Sequence, residues 1–285
     1  MEKRVSTVAK LGYKTCVVPK SAEKVLHGLD FGDLERRCFI KKIMLSDLCY
    51  TNNVVSQSDR RRHSASTTSK CLSWRLTVET YNLRDWKLVP AECIRYIGKY
   101  MMGKQHAEDC TAAADVAFAY AETVNLTGDG KDAWILDIDQ TALSLLDYYS
   151  RPTVQFGGIL YNDTMFEEWL AEGRATANPA VLKLYNDLKS IGFKIVFISG
   201  TSESQRDVRI ANLNKAGYYG WEKLLLKGED EHGTTAQVYK TKKRTQLVAE
   251  GYRVHGNMGD QWSDLIGDYS GTRTFKLPNP MFFIA

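Results

Sequence analysis

Ala133-Trp134-Ile135-Leu136-Asp137-Ile138-Asp139-Gln140-Thr141 is the stretch on which the reading of this chain turns. Its apolar run is short, bulky and partly branched, the pattern of a buried strand. The run ends on two carboxylates two residues apart, and side chains at i and i+2 of a strand point to one side. Asp137 and Asp139 therefore aim into a common space at the carboxyl end of the strand, where open α/β sheets bind their ligands. Two acids there repel each other and are costly to desolvate, and a cation would relieve that cost. Asp-x-Asp-x-Thr is short enough to arise by chance in a loop, so its meaning depends on the rest of the chain.

Downstream, apolar strands alternate with helices. Ala142 to Gly158 reads as a loop over the site. Asn162-Asp163-Thr164 can cap a helix through Leu170, and Asn178-Pro179 opens another that Gly192 closes. Lys194 to Ile198 is a second strand, ending on Ser199-Gly200-Thr201-Ser202, and a helix with Val208 and Leu213 follows. Trp221 to Leu226 is a third strand, a basic helix starts near Lys240, Arg253 to Met258 is a fourth strand ending on Gly259-Asp260, and Thr272 to Leu277 is a fifth. Such alternation predicts a mostly parallel sheet with right-handed crossovers. Three strand ends then carry polar groups to one edge: Asp137 with Asp139, Ser199, and Asp260.

Upstream, residues 71–130 read as helices that pack on the sheet. One starts at Pro90-Ala91-Glu92-Cys93, and an Ala-rich one runs from Ala107 to Val124. Residues 57–70 (QSDRRRHSASTTSK) are polar, basic and rich in Ser and Thr, which predicts an unstructured linker. A boundary placed there leaves residues 1–70 as a poorly structured extension, with some helical periodicity over Ser21 to Leu34 and a short element over Phe39 to Leu48. Residues 71–285 form the main domain: a helical part, 71–130, and a core, 131–285.

The 285 residues suffice for one large domain or two small ones, and 44% apolar with 25% charged residues is ordinary for a globular protein. No apolar run approaches the roughly eighteen residues of a membrane span, and the first residues lack the apolar block of a secretory signal. The net charge of +4 is unevenly spread. Residues 1–70 hold 14 Lys/Arg against 7 Asp/Glu, and the remainder 24 against 27. The near-neutral body implies neither a nucleic-acid nor a membrane partner, and the basic end reads as a solvated tail. All six cysteines lie within the first 110 residues, none at zinc-knuckle spacing; they are disulfides if the protein is exported and buried thiols otherwise. His232 and His255 sit in no partner pattern and read as solvated or core histidines.

These groups suit phosphoryl transfer, in which one carboxylate attacks phosphorus and other groups neutralise the phosphoryl oxygens. Asp137 and Asp260, with the Asp139 carbonyl, can ligate Mg²⁺, and Asp264, one turn on, can act through water. Ser199 and the amides after it can hold phosphoryl oxygens, and Lys240 can reach the same oxygens as a point charge. Asp139 can protonate the leaving alcohol and then deprotonate the attacking water.

Taken together, Asp137-x-Asp139-x-Thr141, Ser199-Gly200-Thr201, Lys240 and Gly259-Asp260-Gln261-Trp262-Ser263-Asp264 resemble the motifs of the haloacid dehalogenase superfamily of phosphatases. Cys71-Leu72-Ser73-Trp74-Arg75, Val89-Pro90-Ala91-Glu92-Cys93, Tyr148-Tyr149, Tyr239-Lys240 and Phe275-Lys276-Leu277-Pro278-Asn279-Pro280 make the chain similar, over residues 71–285, to the plant acid phosphatase and vegetative storage protein family. The resemblance implies a Rossmann-like α/β core, an N-terminal helical extension and a small cap or none. It also implies Mg²⁺-dependent hydrolysis of small phosphate monoesters through an aspartyl-phosphate. It casts Asp137 as nucleophile, Asp139 as acid/base, Ser199 as phosphoryl contact, Lys240 as charge neutraliser, and Asp260 with Asp264 as metal ligands. Lys242, Lys243 and Arg244 crowd Lys240, so which lysine serves is open at this stage.

The resemblance further implies a Cys71–Cys93 disulfide, leaves room for a homodimer, and suggests a secreted or vacuolar location. Glycosylation would then fall at Asn125-Leu126-Thr127 and Asn162-Asp163-Thr164. Gln140 stands where the family usually has an acid, at a position expected to matter little. The second reading is a vegetative storage protein that keeps the fold with little or no activity. Retention of Asp137 and its partners favours the enzyme.

Overall fold

The structure is a computed structural model, and residues 59–285 are the ones described. The elements expected over 21–34 and 39–48, and the fate of Cys16, Cys38 and Cys49, lie outside the described residues. The chain opens with α1 (Asp59–Glu79), a 3-10 turn (Ala91–Cys93), α2 (Ile94–Met101) and α3 (Lys104–Ala121). Strand β1 (Asp132–Leu136) follows, then β2 (Leu143–Ser144), α4 (Leu146–Tyr149), α5 (Asp163–Ala171), β3 (Thr176–Ala177) and α6 (Pro179–Ser190). The remainder alternates β4 (Lys194–Ser202), α7 (Arg206–Lys215), β5 (Lys223–Lys227), α8 (Ala236–Ala249), β6 (Arg253–Gly259), α9 (Trp262–Leu265) and β7 (Arg273–Lys276).

Five strands form a wholly parallel sheet in the order β5-β4-β1-β6-β7, with β1 at its centre. Side-chain alternation sorts the strands between two cores. Trp134, Leu136, Ile195 and Phe197 point into the larger one, shared with Ala114 and Ala117 of α3 and with Val181, Leu184 and Tyr185 of α6. Ala133, Ile135, Val196 and Ile198 point the other way, onto Tyr239 and Leu247 of α8. The ring of Trp134 stacks on Phe275 at 5.5 Å. Burial of a side chain of this size makes Trp134→Ala cost about 3–5 kcal/mol.

Residues 143–177, between β1 and β4, make a small cover: the helix expected after Asn162 forms, and the stretch 142–158, expected as a plain loop, carries β2 and α4. The cover consists of the two-residue antiparallel pair β2–β3 and helices α4 and α5. Tyr148 packs there with Phe166 at 5.1 Å and Trp169 at 5.7 Å, continuous with the larger core. The two expected Asn caps form: the Asn162 Oδ1 accepts from Met165 N at 2.9 Å, and the Asn178 Oδ1 from Ala180 N at 3.2 Å.

Two further elements differ from their sequence-based expectations. Residues 59–70, read as an unstructured linker, form the first half of α1. The helix is anchored further on, where Cys71 is buried and disulfide-bonded to Cys93 and Trp74 packs edge-on against Trp86. Once those turns are fixed, each preceding residue adds a hydrogen bond without a new nucleus, so a polar sequence extends the helix. Helix α8 starts at Ala236 and not near Lys240, because Thr235 caps it, its Oγ1 accepting from Val238 N at 3.3 Å. Lys240 thus lies a full turn inside the helix, buried against the sheet.

Candidate active site

Register brings the polar strand ends together. Leu136 pairs with Phe197 of β4 and with Met258 of β6, and Ser199 and Asp260 each lie two residues beyond those partners. Past Ile198 the pairing of β4 with β5 slips, so Ser199-Gly200-Thr201 leaves regular strand geometry at the site's edge.

Asp137, Asp260 and Asp264 are all buried, and one carboxylate oxygen from each lies within 4.8 Å of the others. The Lys240 ammonium sits among them, donating to the Asp137 Oδ1 and the Asp264 Oδ1 at 2.5 Å each. Asp260 is fixed from several sides. Its Oδ1 accepts from the Thr141 hydroxyl at 3.1 Å, and its Oδ2 from Gln261 Nε2 at 2.8 Å and Asn279 Nδ2 at 2.6 Å. The other Asp264 oxygen, Oδ2, accepts from Gln261 N at 2.9 Å. The turn closes this tightly because Gly259 has no side chain: a Cβ there would lie 2.3 Å from the Asp264 Oδ2.

Electrostatics follow from that crowding. Burial pushes the Asp137 carboxyl well above its usual range, Lys240 opposes the push, and Asp264, Asp260 and Asp139 add to it. Burial, with Asp264 next, lifts Asp260 to about 6 against its hydrogen bonds from Asn279 and Gln261. Burial disfavours the Lys240 charge, but the Asp137 and Asp264 carboxylates outweigh it and hold the ammonium above its ordinary value. Three acids share one lysine, so negative charge is in excess, and every donor is a hard oxygen. Such a set fits a small divalent cation.

Asp139 stands apart from that triad. Its Oδ1 accepts from Arg209 Nη2 at 2.5 Å, and its Oδ2 from the hydroxyls of Ser199 at 3.1 Å and Thr201 at 2.9 Å. Ser199, expected to contact the phosphoryl group, therefore bonds to Asp139 here and also accepts from Thr201 N at 3.1 Å. Of the clustered cations Lys240, Lys242, Lys243 and Arg244 on α8, only Lys240 reaches the acids of the site. Lys242 and Lys243 pair with Glu231 at 2.9 and 3.0 Å, and Arg244 donates to the carbonyls of Asp264, Ile266 and Asp268.

Gln140 turns away from the acids. It takes φ of +62°, and its Oε1 accepts from Leu145 N at 2.9 Å. His232 is exposed. His255 has a partner that its sequence context did not show: its Nε2 lies 2.7 Å from the Asp132 Oδ1, at the opposite end of β1. Reading the sequence missed Arg209, and it placed Thr141, Thr201 and Asn279 within motifs without giving them a role. Asn279 had a signal, since two prolines flank it and fix its backbone. Arg209 had none beyond a charge on the apolar side of a helix.

Comparison with known proteins places the chain in a family. Residues 57–285 match the family model described as HAD superfamily, subfamily IIIB (acid phosphatase). The chain is 45% identical to acid phosphatase 1 of Solanum lycopersicum over 215 residues, 75% of this chain and 84% of that protein. It is 39% identical to the stem 28 kDa glycoprotein of Glycine max, over 86% of this chain and 96% of that protein. It is 37% identical to vegetative storage protein 1 of Arabidopsis thaliana, over 75% and 78% of the two chains. Among solved structures, the class C acid phosphatase of Bacillus anthracis superposes with a TM-score of 0.54 at 20% identity, over 76% of this chain and 86% of that one, a likeness of fold.

Proposed function

The chain belongs to subfamily IIIB of the HAD superfamily, the acid phosphatases, and from that membership we propose that it hydrolyses small phosphate monoesters through a phosphate ester of Asp137. The observation that carries the proposal is the Asp137–Lys240–Asp264 contact with Asp260 alongside. Lys240 fixes the Asp137 Oδ1, and among the described residues no hydrogen bond engages the Oδ2, which is the oxygen available to attack phosphorus. Asp139 supplies the proton that the departing alcohol needs and recovers it from the water that cleaves the acyl-phosphate. Hydroxyls of Ser199 and Thr201 can turn from Asp139 to phosphoryl oxygens, because each rotates about a single bond. Asp137, Asp260 and Asp264, with the Asp139 carbonyl, would hold Mg²⁺, which would offset the phosphoryl charge.

The test is hydrolysis of 4-nitrophenyl phosphate at acid pH by chelator-treated protein, with and without added Mg²⁺, beside Asp137→Asn. Mg²⁺-dependent turnover that the substitution abolishes is expected. Turnover that survives Asp137→Asn would overturn the nucleophile. A folded, Mg²⁺-loaded protein inert toward a panel of monoesters would favour the storage reading, which the names of the Glycine max and Arabidopsis thaliana relatives keep in play.

An oxidising compartment is part of the same proposal. The Cys71–Cys93 disulfide supports it, as do the exposed Asn125 and Asn162 in their acceptor patterns. A mobility shift on glycosidase treatment of the native protein, lost in Asn125→Gln or Asn162→Gln, is the check.

A further inference from the structure

Beyond the groups already assigned lies Arg209, on the first turns of α7 just after β4. Its side chain is buried, while the Asp139 side chain it meets is 20% exposed. One guanidinium nitrogen, Nη2, donates to the Asp139 Oδ1; the Nε and Nη1, both buried, have no partner among the described residues. A guanidinium stays charged, and a buried one that lets go of its only carboxylate stands unpaired in the interior. The Asp139 Oδ1 is therefore fixed. The Oδ2 is held differently, by two hydroxyls that also lie 2.9 Å from each other. Ser199 and Thr201 can release it and keep a partner.

We infer that Arg209 is the positioning residue of the acid/base step: it locks one oxygen of Asp139 and so dedicates the other, Oδ2, to proton exchange with the substrate. The inference rests on Asp139 being the acid/base. As the bond from Asp137 to phosphorus forms and the ester P–O bond breaks, the proton on the Asp139 Oδ2 passes to the departing alcohol oxygen. The carboxylate left behind is paired with Arg209. In the second half, water attacks the acyl-phosphate and returns a proton to the Oδ2, the Asp137–phosphorus bond breaks, and inorganic phosphate leaves.

An interaction that serves proton transfer matters in proportion to how badly the leaving group needs a proton, and one that merely holds α7 against β1 does not. The test compares kcat/KM on 4-nitrophenyl phosphate, whose phenolate leaves with little help, and on glycerol 2-phosphate, whose alkoxide must be protonated. Asp139→Asn sets the reference, with a loss of about 100-fold or more on the alkyl ester and a much smaller loss on the aryl ester. Arg209→Gln is expected to lose at least about tenfold more on the alkyl than on the aryl ester, and Arg209→Lys to recover part of that selective loss. The double variant is expected to be no more selective than Asp139→Asn alone.

Equal losses on both esters in Arg209→Gln, beside a selective loss in Asp139→Asn, would overturn the inference and leave the acid/base assignment standing. Unselective loss in Asp139→Asn would remove the assignment and the inference with it. Should Arg209→Gln give no cooperative melt, Arg209→Lys carries the test, since it keeps the charge and loses the fixed fork: a selective loss supports the role and an equal loss refutes it.

Discussion

Strand β1 begins at one buried aspartate and runs into another, and the fold treats them in opposite ways. At the amino end every Asp132 oxygen is matched. Its Oδ2 accepts from Thr127 N at 2.7 Å and the Thr127 hydroxyl at 2.9 Å, and its Oδ1 from Arg253 Nε at 2.8 Å and His255 Nε2 at 2.7 Å. Arg253 also reaches Asp129, and its hydrogen bond is the main reason the Asp132 carboxyl lies below its usual range. At the carboxyl end Asp137 shares one lysine with Asp264, beside a third acid, and its carboxyl lies above its usual range. Matched charge ties a loop to the sheet. Excess charge of one sign at the other end is what the proposed function asks for, a place to meet a phosphate ester and a cation.

The sharpest way to break this comparison is to remove each acid in turn. Asp137→Asn should lower kcat at least about a thousandfold and leave the thermal melting temperature of the metal-free protein unchanged or raised. A strongly destabilised Asp137→Asn would mean that this end, too, is built for stability. Asp132→Asn should do the reverse. Loss of the charge, and of one of the two oxygens that together accept four hydrogen bonds, should cost about 2 kcal/mol in denaturant unfolding, with kcat per folded molecule changed less than about twofold.

The ends also differ in the sign of their pH dependence. A carboxyl held low in the folded state stabilises it at neutral pH and ceases to do so as pH falls through the acid range. A carboxyl held high contributes stability at low pH that is lost as pH rises through its folded value, about 6 for Asp260. Metal-free wild type should therefore lose ground to Asp260→Asn, in melting temperature, between pH 4 and pH 7, by an amount equivalent to about 2 kcal/mol. Wild type should gain ground on Asp132→Asn as pH rises toward and just past about 4, the ordinary carboxyl value. Parallel curves would show that the two ends are not opposed.

The smallest expected change is Gln140→Glu. The carboxylate can keep the Leu145 N hydrogen bond, and Gln140 makes no hydrogen bond to the three acids, so kcat/KM should stay within about threefold. A larger fall would show that the charge excess extends beyond Asp137, Asp260 and Asp264.

The two ends were not equally legible in the sequence. The site end announces itself because strand ends bring Asp137, Ser199 and Asp260 to one edge, the first two after apolar runs and the third within Gly259-Asp260-Gln261-Trp262-Ser263-Asp264. Asn162 and Asn178 were equally plain, since a cap acts within three residues. The Asp132 network was not legible: Asp132 and Arg253 are 121 residues apart and meet only through β1–β6 pairing. Arg209 meets Asp139 across 70 residues with no motif about it. The start of α1 was misread for a related reason, because its support comes from Cys93, a partner distant in sequence.

Gly259 carries a last consequence. A single methyl group at that position would occupy the space of the Asp264 carboxylate, although every acid and the lysine would still be spelled out in the sequence. Silence in a homologue could thus arise without the loss of any reactive group. A census of catalytic letters is therefore a poor guide to whether such a chain works, and the uncharged turn beside them has to be read as well.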